Sequence, residues 1–241
     1  MKFGYLIEPP FNFADEAGHV TGCDVELARH VLGALGIHGF EPVETEFASL
    51  LPGLQDGRWR MTTGLFGTAE RRKHAHFSRP IWALPDGLLV RSGNPKNLSG
   101  YRSVAARRDL RLAVIRDQFQ HCSAVELGVA DDQISIFEAY AQAARAVRDG
   151  QADAYASVGR AHGGFIEQNP DWPVELVLVP AEEKPPAFGS FAVGLDDAAF
   201  LSAVDAELSK FLGSAAHRNM AARFGFLDTD VDLVCASGRF E

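Results

Sequence analysis

The chain has 241 residues, 46% of them hydrophobic and 23% charged, which excludes a disordered polymer and leaves room for one large domain or two small ones. Its formal net charge of −9 argues against a nucleic-acid binder, because a phosphate backbone is met by clustered Lys and Arg, and the basic run Arg71-Arg72-Lys73 is too short to alter that. No apolar run approaches the roughly 18 to 20 residues of a membrane span.

The first residues, Met1-Lys2, lead straight into a strand over Lys2–Ile7, with no secretory signal between them. Either the protein stays in the cytoplasm or the signal lies outside this sequence. Cys23–Leu35 is predicted as a helix, with Val25, Ala28, Val31, Leu32 and Leu35 on one face and Gly36 as its stop. Phe40–Phe47 reads as a second strand, Leu50–Leu54 as a short helix ended by Gly57, and Met61–Phe66 as a strand. Thr68 is expected to start a helix whose first turn carries Glu70 and Arg71. Ile81–Val90 reads as extended, and Ser92-Gly93-Asn94-Pro95 as a loop.

A second series follows: strand Arg111–Ile115, helix through Ser123–Leu127, strand Gln133–Phe137, helix Glu138–Arg148 closed by Gly150, strand Ala152–Ala156, helix Arg160–Gln168 and strand Val174–Val179. Lys184-Pro185-Pro186 is a break. Phe188–Leu195 is again strand-like, Asp197–Leu212 a long amphipathic helix, and Ser214–Phe226 a helical tail. Short apolar runs alternating with amphipathic stretches give an α/β class. Two such series, entered and left through extended segments near Leu89–Gly93 and Ala187–Phe191, imply two α/β lobes joined by two crossover hinge strands. Lobe one is then 1–90 with 190–241, and lobe two 91–189. A hinge between α/β lobes makes a cleft at the strand ends, where ligands bind.

Cys23, Cys122 and Cys235 match no zinc spacing, and an odd number cannot all pair, so they read as unpaired. His121 and His162 lack helical metal-ligand spacing near a third ligand; no metal and no cofactor is expected. No Gly-x-Ser-x-Gly, phosphate loop or dinucleotide fingerprint occurs.

Several pieces occur together in a recognisable order. They are Pro9-Pro10-Phe11-Asn12-Phe13, Gly22-Cys23-Asp24-Val25-Glu26-Leu27-Ala28, Phe47-Ala48-Ser49-Leu50-Leu51-Pro52-Gly53-Leu54, and Gly67-Thr68-Ala69-Glu70-Arg71-Arg72 followed by Phe77-Ser78-Arg79-Pro80. Gly128-Val129-Ala130-Asp131-Asp132-Gln133-Ile134 and Gly150-Gln151-Ala152-Asp153-Ala154-Tyr155 continue the series. Over nearly its whole length the chain resembles the extracytoplasmic solute-binding proteins of polar amino-acid ABC importers, which have the type II periplasmic-binding-protein fold. The resemblance implies a periplasmic, monomeric, non-enzymatic binder of a small zwitterion or amino acid, working with a membrane permease.

Arg71 is the implied anchor, since a guanidinium offers a planar fork to a carboxylate, and a helix start would add N–H donors around it. Its bland alternative is an ion pair with Glu70 or another surface acid. Thr68 can cap that helix or point into the site. The amino-acid pattern is altered elsewhere: Val158 stands where an ammonium-binding Asp is common, Phe66 where a Thr is common, and Arg116-Asp117-Gln118-Phe119 replaces a Gly-Thr turn. Glu8, Phe11, Phe47, Phe66 and Arg71 look like the pocket of the ectoine-binding members, which pair a Glu and an Arg across a cation ringed by aromatics. Gly64 joins this set from the Phe66 strand. In lobe two, Asp117 is a second ligand acid or the cap of the following helix, with Gln118 and Ser157 as weaker polar candidates. Two other classes share the fold: cyclohexadienyl dehydratases, for which Glu8 could serve as an acid, and sensory modules that signal to a membrane partner.

Overall fold

The computed structural model describes residues 1–237. They fall into two compact units, Met1–Ala83 with the chain from Phe188 onward, and Leu84–Ala187. Unit 1 opens with β1 (Lys2–Tyr5), a ribbon of β2 (Phe13–Ala14) and β3 (Val20–Thr21), and α1 (Cys23–Ala34). Gly22 has φ +127°, and a Cβ there would lie 2.1 Å from the Phe11 carbonyl oxygen, so only glycine lets α1 start so close to the 8–12 loop. The first amides of α1 donate into that loop, Cys23 to the Pro10 carbonyl at 2.9 Å and Asp24 to the Phe11 carbonyl at 3.1 Å.

β4 (Glu41–Glu44) pairs parallel with β1, and a 3₁₀ turn over Phe47–Ser49 leads into α2 (Leu50–Gln55). The expected strand to Phe47 stops early because β1, its partner, is only four residues long. β5 (Met61–Phe66) matches expectation residue for residue. The helix expected from Thr68 is a single 3₁₀ turn, Arg71–Lys73, because β6 (His76–Phe77) is drawn at once into register with Ala192 and Val193. One turn carries little of a helix dipole, so Arg71 gains little from it. The extended run Ile81–Val90 is two strands, β7 (Trp82–Leu84) and β8 (Asp86–Arg91), separated by Pro85, which has no N–H to give a ladder.

Residues 84–90, expected in lobe one, belong to unit 2, because β8 pairs with β11 and β12 along its length. Unit 2 contains β8, α3 (Tyr101–Ala105), β9 (Leu112–Ile115), α4 (Phe119–Glu126), β10 (Ile134–Phe137), α5 (Tyr140–Arg148), β11 (Ala154–Val158), α6 (Gly159–Gln168) and β12 (Val174–Leu178). Its sheet order is β10-β9-β11-β8-β12, and its core is built from Leu88, Val90, Tyr101, Leu110, Leu112, Val114, Ala154 and Ala156.

The chain returns through β13 (Ala187–Val193), then α7 (Ala198–Phe211), α8 (Ala215–Ala222) and α9 (Asp228–Ser237). The tail expected to be helical to Phe226 breaks after α8, and Phe226 is buried. In unit 1 the sheet runs β4-β1-β5-β13-β6, with β7 also on β13. The ribbon, α3 and α9 were not foreseen: the first two are short, and α9 has little amphipathic contrast. Among the described residues, no helix is long and apolar enough to cross a membrane.

Candidate ligand-binding site

In unit 1, the site is assembled around a tryptophan that the sequence did not mark. Trp82 stands in β7, its ring 5.3 Å from Phe11 and 5.4 Å from Phe66 between centroids, tilted against the first and edge-on to the second. Two glycines make room for it. A Cβ at Gly189 would lie 2.2 Å from the indole, and one at Gly64 would lie 2.7 Å from the indole nitrogen. The indole Nε1 donates to Asp24 Oδ1 at 3.2 Å.

Asp24 is 1% exposed, in the first turn of α1. Its Oδ2 accepts from the Thr63 hydroxyl at 2.6 Å and from the Gly64 amide at 2.7 Å. Asn12 Nδ2 in turn donates to Thr63 Oγ1 at 2.8 Å. Burial raises the Asp24 pKa to about 6, against the lowering pull of its three donors. This relay ties the 8–12 loop, β5 and β7 to one another. Gly64, named as a ligand contact from sequence, is positioned here as an amide donor to Asp24 and as space for Trp82.

Glu70 pairs with Lys73 and approaches His74. The Arg71 guanidinium is half-buried, donates to the Phe66 carbonyl at 3.0 Å, and lies 5.1 Å above the Phe47 ring. Its own amide donates to the Thr68 hydroxyl at 3.2 Å. Thr68 therefore closes the turn that presents Arg71, and Phe47 and Phe66 flank the guanidinium. Glu8 is half-buried and anchored by its backbone: its amide donates to the Asn12 carbonyl at 2.9 Å, and its carbonyl accepts from Phe11 at 2.9 Å. Phe11, Phe47, Phe66, Thr68 and Arg71 thus occupy one connected neighbourhood, with Trp82 as the missing centre.

In unit 2, β9 and β11 are parallel and end at the same edge of the sheet. Asp117 follows β9 there, exposed and in the left-handed region at φ +61°. The N-cap position of α4 is Gln118 rather than Asp117, and its side chain makes no capping hydrogen bond. Gln118 is 5% exposed and Ser157, near the end of β11, 1% exposed. Val158, where an acid was expected, is buried and precedes α6. Beneath this edge Tyr140 Oη and His162 Nδ1 share a hydrogen bond at 2.6 Å, and His162 Nε2 meets the Gly87 carbonyl at 3.2 Å. Burial holds the His162 pKa down at about 3, so the ring is neutral. Asp86 forms a further buried network with Tyr101, Gln120 and Lys184, also unmarked by sequence.

Cys23, Cys122 and Cys235 are free thiols. Among the described residues, no group of three or more His, Cys, Asp or Glu could hold a metal ion.

The sequence model of the bacterial extracellular solute-binding proteins, family 3, matches residues 1–225. A probable amino-acid ABC transporter periplasmic-binding protein of Sinorhizobium fredii is 38% identical over 153 residues, 62% of this chain and 50% of that protein, so the match spans about half the relative's length. A probable amino-acid ABC transporter-binding protein of Haemophilus influenzae is 25% identical over 84% of this chain and 72% of that one. Among solved structures, EhuB in complex with hydroxyectoine superposes with a TM-score of 0.87 at 26% identity, covering 96% of this chain and 90% of that one. An ancestral arginine-binding protein bound to glutamine gives a TM-score of 0.82 at 21% identity over 92% of this chain and 96% of that one, a likeness of fold.

Proposed function

The chain belongs to the bacterial extracellular solute-binding proteins, family 3, and from that premise we propose that it captures a small zwitterion with a carboxylate and a delocalised positive charge, ectoine-like in chemistry, for an ABC importer. The observation that carries this reading is Arg71 set between the Phe66 carbonyl and the Phe47 ring, beside the Phe11–Trp82–Phe66 stack. A guanidinium so placed can take a carboxylate in a fork, and ring faces attract a soft cation by about 0.5 to 2 kcal/mol each when desolvated. Glu8 is the acid assigned to the ligand's positive end. The likeness to EhuB, which was solved with hydroxyectoine, supports the ligand class, and the relatives from Sinorhizobium and Haemophilus support the transport role.

In this reading unit 1 takes the ligand first, and Asp117, Gln118 and Ser157 complete the site when the units close about their two crossings. The protein works in the periplasm, hands its ligand to a permease, and performs no chemistry on it. Calorimetric titration with ectoine, glycine betaine and polar amino acids tests the assignment. Arg71→Ala should lose carboxylate ligands by at least about a hundredfold, and normal binding by that variant would sink the site. Formation of an aromatic product from prephenate or arogenate would overturn the non-enzymatic part.

A further inference from the structure

β8 runs against β11 with Asp86 opposite Val158, while β9 and β11 run parallel. The amino end of β8 and the carboxyl ends of β9 and β11 therefore share one edge, the edge at which α/β sheets bind ligands. β12 also ends there, with Leu178 opposite Gly87. Asp117, Gln118, Ser157 and Asp86 all sit on this edge.

Asp86 is the one buried carboxylate of unit 2 among the described residues. It accepts from the Tyr101 hydroxyl at 2.6 Å, from Gln120 Nε2 at 2.9 Å, and from the Lys184 ammonium. The lysine arrives from the loop beyond β12. Its side chain is 12% exposed against 0% for Asp86, so the lysine is the member of the pair that reaches solvent. Lys184 Nζ also lies 4.8 Å above the ring of Phe119, the residue directly after Gln118. A buried carboxylate facing an aromatic ring at a ligand edge is the chemistry that receives an ammonium ion. Here the chain's own lysine fills the place.

We propose that Lys184 is the built-in occupant of an ammonium subsite formed by Asp86 and Phe119, and that it steers the protein away from ligands with a primary ammonium. The inference rests on the ligand-capture reading above and adds a rule for the substrate class. A ligand ammonium brought to this edge meets a fixed like charge, and the acid that would attract it is already neutralised. Selection by such repulsion is as effective as selection by attraction. Ligands whose positive charge is spread over a ring, or that carry none, escape this penalty.

Lys184→Met keeps an unbranched side chain one atom shorter and removes its charge. Titration of the full chain with ectoine and L-glutamine should show glutamine affinity rising at least about tenfold in this variant, with ectoine affinity little changed. The gain should vanish when Asp86→Asn is added. A folded Lys184→Met protein with unaltered glutamine affinity overturns the proposal. If Lys184→Met does not fold, Asp86→Asn alone decides: its lysine, left without the carboxylate, should raise succinate affinity about tenfold, and no rise overturns the proposal. The two readings fail differently. Loss of ectoine binding in Arg71→Ala, with no change of preference in the Lys184 and Asp86 variants, removes this inference and leaves ligand capture standing. A wild-type protein that binds none of the probes removes both.

Discussion

Replacing Asp24 by Asn probes the relay that holds the aromatic stack. The carboxylate serves three donors: Thr63 and Gly64 on Oδ2, and Trp82 on Oδ1. An amide has one accepting oxygen. If that oxygen takes the Oδ2 place, the NH₂ faces the indole N–H; if it is turned over, the NH₂ faces the Gly64 N–H, which cannot rotate away. Either way a buried donor is left unsatisfied, at a cost of about 1–3 kcal/mol. The substitution also removes a buried charge. The wild-type pKa is raised from 3.8 to about 6, so ionising Asp24 in the folded state costs about 3 kcal/mol more than in the unfolded chain. The sign follows: the folded protein holds this proton more tightly than the unfolded one, so the contribution of Asp24 is most favourable below pH 3.8 and is lost as pH rises to about 6. The variant has no such group. Urea denaturation of both proteins at a series of pH values should show wild type losing about 3 kcal/mol relative to Asp24→Asn between acid and neutral pH. At neutral pH the unsatisfied donor and the absent charge nearly cancel, and the two proteins should differ by at most about 2 kcal/mol. A difference that stays constant with pH would refute the buried, proton-holding carboxylate. Ligand affinity should fall in the variant even where stability is matched, because either Trp82 or the Gly64 strand that packs against it loses its anchor.

Gly189→Ala should weaken ligand binding and cost at least about 1–3 kcal/mol, since the new methyl would overlap the Trp82 ring and force it off its seat; equilibrium unfolding with the ligand titration checks both. His162 gives the opposite pH sign to Asp24: its folded pKa is depressed to about 3 from 6.5, so stability is lost as pH falls through that window, by up to about 5 kcal/mol, and His162→Gln should flatten the acid limb of a stability–pH curve. Glu8→Gln should lower affinity for cationic and zwitterionic ligands while sparing simple carboxylates, which separate titrations of ectoine and a neutral-chain acid would show.

The elements, and the position of Arg71 close to Phe66, were legible because their signals are local. Met61–Phe66 is bounded by turn residues and reads directly as a strand, and Arg71 carries its motif beside it. Thr68-Ala69-Glu70-Arg71 reads as a helix start for the same local reason, yet the strand that begins at His76 ends the turn. What stayed hidden is made of contacts between residues far apart in the chain. Asp24 looks like an acid favoured in the first turn of a helix; only the fold shows it receiving Thr63, Gly64 and Trp82. Gly189 looks like a strand irregularity until the indole beneath it is seen. Lys184 precedes two prolines and reads as loop punctuation, while its partner Asp86 lies 98 positions earlier.

These hidden residues also bear on the ligand's charge. The buried carboxylates among the described residues are Asp24 and Asp86, one in each unit, and each is occupied by the chain's own donors. Neither is offered to a ligand ammonium without displacing a partner, and displacing a buried partner leaves a donor or a charge uncompensated. In the proposed site, the positive end of a ligand is therefore met by half-buried Glu8 and by ring faces. Ring faces discriminate by how readily a cation gives up its water: a compact primary ammonium is strongly hydrated, whereas a charge spread over a ring is not. The same arrangement that satisfies the two acids internally thus favours the delocalised cation, and the clamp at Arg71 then fixes only its carboxylate.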